Sequence, residues 1–449
     1  MHDSPILMTR RRHLSLLGGL GLAAMVGCLP REKSGRRLRF WHIWNPKVYP
    51  VMEEIMQRFR ADNPGLQVEE TVIPSPFLRV KLLTALQEGT LPDVFALNSA
   101  WMEQLGGERH LQPLAKLVQA DNIDLRQRMR PHDLSRSHLR DQLLSLPCTS
   151  SSGTAMLFIN EVLREQAGMP AGIRYVNWAE LTKASRDLVR RLNPGNSLDY
   201  IALDPFFSPG LQIQSALAAG IGVMPVAMDG HLAQLTHEGS LRVARILDDY
   251  VEEVYGPYGG YRALLRWRTR FMVRNPVSNF IAVPFDRQVF SIAATGAISS
   301  YQRFMSPLRL SIQPLPGLER LHGGVATPTW SYAIRQGTPQ LREAWYLLRY
   351  LSLEEQGVGR FCQSFRRASP LRAFDERVYR EELGTLWDGA REAMSLDVSY
   401  PRSMMDECLR DLYYSIPMRR MQGTAMREIM ELMNHKLQAY IDSDQQHTP

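Results

Sequence analysis

Apolar positions along the chain recur first with the rhythm of a strand, then with that of a helix, and the alternation repeats. Leu38 to Ile43 is rich in β-forming residues and ends at Trp44-Asn45-Pro46. Val51, Met52, Ile55, Met56 and Phe59 then fall at helical spacing, with Glu53, Glu54, Gln57 and Arg58 between them. Asn63-Pro64-Gly65 stops that helix and Leu66-Gln67-Val68 opens a second strand. Phe77, Val80, Leu83 and Leu86 mark a second helix, closed by Gly89 in the C-cap position. Pro92 to Leu97 is a third strand, running into Asn98-Ser99-Ala100-Trp101. Strand–helix–strand–helix–strand with short connections predicts a parallel sheet with right-handed crossovers. In such sheets ligands bind outside the carboxyl ends of the strands, and Trp44 and Trp101 both fall at such ends. An indole there can stack on the C–H face of a sugar ring, while Asn45, Asn98 and Ser99 offer hydrogen bonds to hydroxyls; the alternative is that each tryptophan simply plugs a lobe.

Past Pro147 the rhythm resumes. Ala155 to Ile159 reads as a strand ending at Asn160, and Asn177-Trp178-Ala179-Glu180 has capping-box spacing ahead of a helix. That spacing makes Trp178 a structural residue at a helix start. The stretch from Leu198 to Gly260 is looser, and its Tyr255-Gly256-Pro257-Tyr258-Gly259-Gly260-Tyr261 run suits either a ligand rim or a plain surface loop. Further along, the segment from Val325 to Ile334 carries Trp330 and Tyr332. From Leu341 onward the pattern is nearly all helical, and no internal repeat is visible.

The N-terminus has a different character. Arg10-Arg11-Arg12 precedes a short apolar run from Leu14 to Val26, broken by glycines. A membrane-spanning helix needs about 20 apolar residues, and this run is shorter, as signal-peptide cores are. It ends in Met25-Val26-Gly27-Cys28, which resembles the lipobox of bacterial lipoproteins: small residues suit a peptidase, and the Cys28 thiol accepts a diacylglycerol. Thr9 to Leu14 also resembles a twin-arginine export signal, with His13 where that pattern prefers Phe. Gly19-Leu20-Gly21-Leu22-Ala23-Ala24 matches a dinucleotide-binding fingerprint only on paper, because it lacks a preceding strand and lies inside the segment expected to be cleaved. Residues 1–27 are therefore expected to be a signal peptide. Residues 28–37 read as a lipidated cysteine with a basic, solvated tether that can rest against anionic head groups.

Composition narrows the class. With 449 residues, 44% hydrophobic and 22% charged, the chain reads as an ordinary globular protein of two lobes or domains. Its formal charge of +7 comes from arginines scattered along the sequence, not from a stripe, which argues against nucleic acid. Once Cys28 is lipidated, Cys148, Cys362 and Cys408 remain, an odd number whose pairing spacing does not specify. No HExxH, GxSxG, Walker A or CxxC pattern appears outside the leader, and His237-Glu238 lacks a second histidine. No cofactor, no metal and no catalytic residue is expected. A glycosidase would need paired carboxylates across a cleft; Glu53-Glu54 and Glu354-Glu355 sit on predicted helices, as solvated faces do.

Several phrases in shared order identify a resemblance: Phe40-Trp41-His42-Ile43-Trp44, the turn from Phe59 to Val68, Gly89-Thr90-Leu91-Pro92-Asp93-Val94, Leu111 to Leu114, Leu157 to Asn160, Trp178 to Leu181, and Glu343-Ala344-Trp345 through Gln356. From Phe40 to Ile441 the chain resembles the extracellular solute-binding proteins of bacterial ABC importers, the group of the maltose-binding protein and other oligosaccharide receptors. The resemblance implies an α/β, two-lobed periplasmic-binding-protein fold, each lobe a mainly parallel sheet flanked by helices, with the ligand cleft between lobes. It divides the body into 38–146 plus 308–336 as one lobe and 147–307 plus 337–449 as the other. It implies an exported, membrane-anchored monomer that closes on a mono- or oligosaccharide and delivers it to ABC permease subunits. The family's second hinge often reads Gly-x-Ala-Ala-Met followed by a Gly and a Trp; here Thr295 to Arg303 departs from it, with Tyr301 standing near the tryptophan's place. The expected ligand contacts are Trp44, Asn45, Asn98, Ser99 and Trp101 from one lobe, with Tyr301, Arg303, Trp330 and Tyr332 from the second half. Arg303 in the cleft would suit an acidic sugar. A lipoprotein glycosidase or other carbohydrate-active enzyme, and a ligand-sensing lipoprotein without a transport role, are the alternative readings.

Overall fold

In a computed structural model of the protein the described residues are 36–150, 156–207, 213–227, 231–274, 281–282, 286–304, 309–322, 325–326, 329–396, 398–399 and 405–446. The expected signal peptide, Cys28 and nearly all of the tether lie outside them.

Two sheets organise the body. The first contains β1 (Arg36–His42), β2 (Leu66–Val72), β3 (Val94–Asn98), β4 (Leu146–Pro147) and, from much later in the chain, β9 (Trp330–Ile334). Its order is β2-β1-β3-β9-β4. The first three strands are parallel, as their helical crossovers require, with Leu38 opposite Val68 and Phe40 opposite Val94. Strand β9 enters antiparallel between β3 and β4, with Trp330 opposite Asn98 and Ser331 opposite Pro147.

The second sheet contains β5 (Met156–Asn160), β6 (Phe290–Ala293), β7 (Leu310–Pro316) and β8 (Leu321–His322), in the order β6-β5-β7-β8. Here the structure departs from the expected parallel arrangement, because all its pairings are antiparallel. The central strand reads Met-Leu-Phe-Ile without a polar interruption because both faces are covered. Leu157 and Ile159 enter one hydrophobic core while Met156 and Phe158 enter another on the opposite face.

The helices follow the local signals closely. Helix α1 (Pro50–Asp62) buries Val51, Met52, Ile55, Met56 and Phe59, the expected face. Helix α2 (Ser75–Gln87) instead buries Leu78, Leu82 and Ala85, leaving Phe77 and Val80 well exposed. Gly89 has a left-handed φ of 66°, as a residue closing a helix does. Helix α3 (Trp178–Leu192) is capped by Asn177, whose Oδ1 accepts from the Glu180 amide at 3.0 Å, while Glu180 reaches back to the Val176 amide at 2.8 Å.

Two expectations are corrected. The stretch 198–260 contains α4 (Glu238–Tyr255), and Tyr255 and Tyr261 are buried in the core of the second sheet, not on a loop rim. The lobe boundary also moves. Strand β7 pairs with β5, so 310–316 belongs to the second sheet. Helices α5 (Leu341–Leu353) and α6 (Arg360–Ser364) contribute Trp345, Leu348, Phe361 and Cys362 to the first core. Helices α7 (Arg372–Leu383) and α8 (Thr385–Ser395) then bring Tyr379 and Trp387 onto the second sheet. There α8 lies so close to β7 that a Cβ on Gly389 would stand 2.0 Å from the Ile312 carbonyl oxygen. The reason is connectivity: the chain returns to the first core after β9 and leaves it again beyond α6. No helix among the described residues is long and apolar enough to cross a membrane.

Candidate functional site

The site is set by where the chain passes between the two cores. The carboxyl ends of β3 and β4 and the amino end of β9 lie side by side. From there the chain leaves β4 through Cys148 to Ser150, returns through Thr329, and passes once more through residues 365–369 after α6. These segments are stitched together. The Cys148 amide donates to the Trp330 carbonyl at 2.9 Å, the Ser99 amide to the Thr329 carbonyl at 3.0 Å, and the Ser150 amide to the Ala368 carbonyl at 2.9 Å. The Thr149 and Thr329 hydroxyls share a buried 2.7 Å bond. The Ala368 amide donates to Thr295 Oγ1 at 2.9 Å, which ties the third segment to the residues just after β6.

Aromatic rings gather on the first lobe's side of this junction. Trp330 and Trp101 meet edge to face at 5.4 Å and 89°, and both are half-buried. Trp330 also stands edge-on to Trp44 at 6.4 Å. Trp44 in turn packs on Tyr49 at 5.1 Å and Phe361 at 4.6 Å, and Tyr49 packs on Phe365 at 4.9 Å. The result is a continuous row whose half-exposed members, Trp101, Trp330, Tyr49 and Phe365, rest on the buried Trp44 and Phe361. Half-exposed indole and phenyl faces next to backbone and hydroxyl groups suit a ligand with apolar faces and polar edges.

The structure separates the expected contact residues into groups. Trp101, Asn98 and Trp330 come together at the strand ends, with Asn98 Oδ1 accepting from the Ala100 amide at 3.0 Å to hold the turn that presents Trp101. Ser99 is buried beside them, its hydroxyl accepting from the Thr329 amide. Asn45 is exposed and its Oδ1 accepts from the Lys47 amide, a turn-forming contact. Trp44 and Tyr332 are core residues: each is at most 2% exposed, and Trp44 Nε1 donates to the Tyr332 hydroxyl at 2.7 Å. They support the row from beneath. Tyr301 is buried in the core on one face of the second sheet, stacked on Phe158 at 5.6 Å and bonded to the Ser291 hydroxyl. Arg303 falls on the last turn of the helix Ala297–Phe304, and its side chain lies outside the described residues. Trp178 is buried against Tyr250, remote from the row and in the structural position its capping box implies.

Sequence reasoning missed Tyr49, Phe361 and Phe365. Phe361 and Phe365 are one helical turn apart, and that spacing is a signal, but nothing in it says that Phe361 meets Trp44 and Phe365 meets Tyr49 from far away in the sequence. It also missed the polar layer beneath the junction. Arg130 donates to Asp375 Oδ2 at 2.8 Å and to the Ser369 carbonyl, while the Ser369 amide donates to both Asp375 oxygens. The Ser150 hydroxyl donates to Asp133 at 2.8 Å. Burial pushes the Asp375 carboxyl up to about 7, against the opposing pull of Arg130. Burial likewise pushes the Cys148 and Cys362 thiols upward, so neither presents a thiolate nucleophile, and neither cysteine is in a disulfide. The carboxylate pairs singled out above face outward: Glu54, Glu354 and Glu355 engage Arg360, Arg349 and Arg377 at the surface.

Residues 45–220 match the profile of the bacterial extracellular solute-binding proteins. A candidate binding protein of Brucella abortus (strain 2308) and one of Brucella suis biovar 1 (strain 1330) are each 27% identical over 193 residues. That stretch is 42% of this chain and only 44% of each relative, so the chain matches less than half of their length. The fold is similar to that of the sugar-binding protein MalE from Xanthomonas citri, with a TM-score of 0.73 at 18% identity, covering 91% of this chain and 98% of that one. It is similar also to a cyclic alpha-maltosyl-1,6-maltose binding protein from Arthrobacter globiformis, with a TM-score of 0.69 at 12% identity, covering 91% and 99%. The chain therefore matches the solute-binding profile along residues 45–220 and shares the fold of these two sugar-binding proteins along nine-tenths of its length.

Proposed function

We propose that the protein is an exported, lipid-anchored receptor that captures a mono- or oligosaccharide between its two lobes and delivers it to the permease of an ABC importer. The observation that carries this reading is the row of Trp101, Trp330, Tyr49 and Phe365 at the strand ends, where the chain crosses between cores. Ring faces of this kind bind the C–H faces of sugars, and the crossing segments allow closure around what they bind. The sugar-binding roles of the proteins with similar folds support the same reading. Cys28 would carry the lipid, and the protein would act as a monomer that binds without turning over its ligand. Closure follows from linkage: a ligand touching both lobes favours the closed state by the difference in its affinity for the two states.

The test is a thermal-shift screen of the purified chain against neutral and acidic mono- and oligosaccharides, followed by calorimetric titration of each hit. A saturating ligand raises the melting temperature and is recovered intact. A panel that produces no shift overturns the carbohydrate reading, and steady release of product replaces it with a glycosidase.

A further inference from the structure

Most partly buried arginines in this structure have a carboxylate partner. Arg130 pairs with Asp375, Arg164 with Glu161, Arg268 with Asp204, and Arg349 with Asp121. Arg366 and Arg367 do not. Both are half-buried on the third crossing segment, and neither side chain makes an ion pair or hydrogen bond with the described residues. A guanidinium without a counter-charge is open to an incoming anion. The carboxylates of the polar layer described above are already engaged, Asp375 by Arg130 and the Ser369 amide, Asp133 by the Ser150 hydroxyl.

Position makes the deficit meaningful. Phe365, a member of the aromatic row, directly precedes the two arginines. Arg366 has a left-handed φ of 50° at the end of a helix, the place where glycine is usual, so a side chain is kept there against backbone strain. The Arg367 stem lies across Gly296, at the start of the second-lobe helix Ala297–Phe304; a Cβ on Gly296 would stand 2.9 Å from Arg367 Cγ and 3.1 Å from Nε. That helix has no acidic residue in its first turn. Arg367 therefore spans from the first lobe's crossing segment to the second lobe, and its charge reaches the Cys148 and Cys362 thiols on the neighbouring segments.

We infer that the captured ligand is an acidic carbohydrate, whose carboxylate or phosphate group is held by the Arg367 guanidinium while its ring stacks on the aromatic row. This rests on the carbohydrate reading above and specifies its substrate class. Guanidinium presents paired N–H groups matched to either oxyanion, so the two sources of charge are separated by experiment.

The full chain would be titrated calorimetrically with trigalacturonate, glucose 6-phosphate and maltotriose, alongside Arg367→Gln and Arg367→Lys, with melting curves as a folding control. We expect one acidic probe to bind at least tenfold more tightly than maltotriose, with an affinity that weakens as salt rises. Arg367→Gln should lower that affinity at least tenfold, with Arg367→Lys between it and the parent, and leave any maltotriose affinity unchanged. The acidic probe that binds identifies carboxylate or phosphate as the group recognised. Maltotriose binding as tightly as both acidic probes overturns the acidic reading and leaves the sugar receptor standing. Equal loss of all probes in Arg367→Gln makes Arg367 a structural residue and also overturns it. Silence from all three probes and from the wider neutral panel removes both readings.

Discussion

Replacing Trp44 distinguishes a support beneath the site from a surface of the site. Trp44 is 1% exposed, packs against Tyr49, Phe361 and Trp330, and donates its indole N–H to Tyr332 at 2.7 Å. Truncating a buried tryptophan to alanine costs about 3–5 kcal/mol, the transfer of the ring plus the cavity left behind. Trp44→Phe keeps most of the packing and removes the hydrogen bond, so its cost should be nearer 1 kcal/mol from the bond, with a smaller cavity term added. Trp101 and Trp330 are half-buried, and their rings are already partly hydrated. Their replacement by alanine should cost less stability than Trp44→Ala but about 2 kcal/mol or more of binding, close to thirtyfold in Kd. Trp178→Ala, 3% exposed and far from the row, should lower stability and leave affinity alone. The assay is urea unfolding followed by circular dichroism for each variant, paired with titration of the sugar found in the screen. If Trp101→Ala and Trp330→Ala bind normally while unfolding early, the row is core and the site falls with it. If Trp44→Ala is as stable as the parent, the packing argument is wrong.

Three further outcomes are expected. Cys28→Ala should move the protein from the membrane fraction to the soluble fraction, and a variant that still sediments with membranes refutes the lipobox reading. Gly389→Ala should destabilise by about 1–3 kcal/mol through overpacking against the Ile312 carbonyl, 2.0 Å from the new Cβ, although helix propensity alone favours alanine; an unchanged unfolding midpoint would count against that close approach. Asp375 has its carboxyl pushed up to about 7 from 3.8 by burial, so the folded state binds more protons than the unfolded one between those values. As regards this group, stability should therefore be greatest below pH 3.8, decline as pH rises from there toward about 7, and level off above it, with Asp375→Asn flattening that slope in unfolding curves taken across the range.

The first lobe was legible because its signals are local. Parallel strands joined by amphipathic helices show as alternating periods, and the stops at Asn63-Pro64-Gly65 and Gly89 coincide with the ends of α1 and α2. The capping box at Asn177 is equally local and was read correctly, along with the structural role of Trp178. The lobe boundary was not legible, because it depends on pairings far apart in sequence. Nothing in Leu310–Pro316 says that it pairs with β5 while Trp330–Ile334 pairs with β3. The antiparallel second sheet escaped for the same reason: a strand buried on both faces has the same apolar run whichever direction its neighbours take.

The misplacement of Trp44 is more instructive, because the information was present. Reading β1 as a strand that stops at Ile43 makes the next residue a loop tryptophan free to face a ligand. The alternation of the strand runs on past its last ladder bond: Leu38, Phe40, His42 and Trp44 are all at most 1% exposed, while Arg39, Trp41 and Ile43 between them are half-buried. Side chains two apart share a face, so the even positions that begin in the core end in it. His42 enforces the continuation by accepting from the Trp44 amide at 3.2 Å through Nδ1, which holds the backbone in register for one more residue. Trp330 escapes the same fate because it begins its strand: it is the half-buried member of a five-residue segment whose other four residues are buried. A tryptophan one step beyond a strand that keeps its alternation supports the site from beneath, whereas one at the mouth of an antiparallel strand lines it.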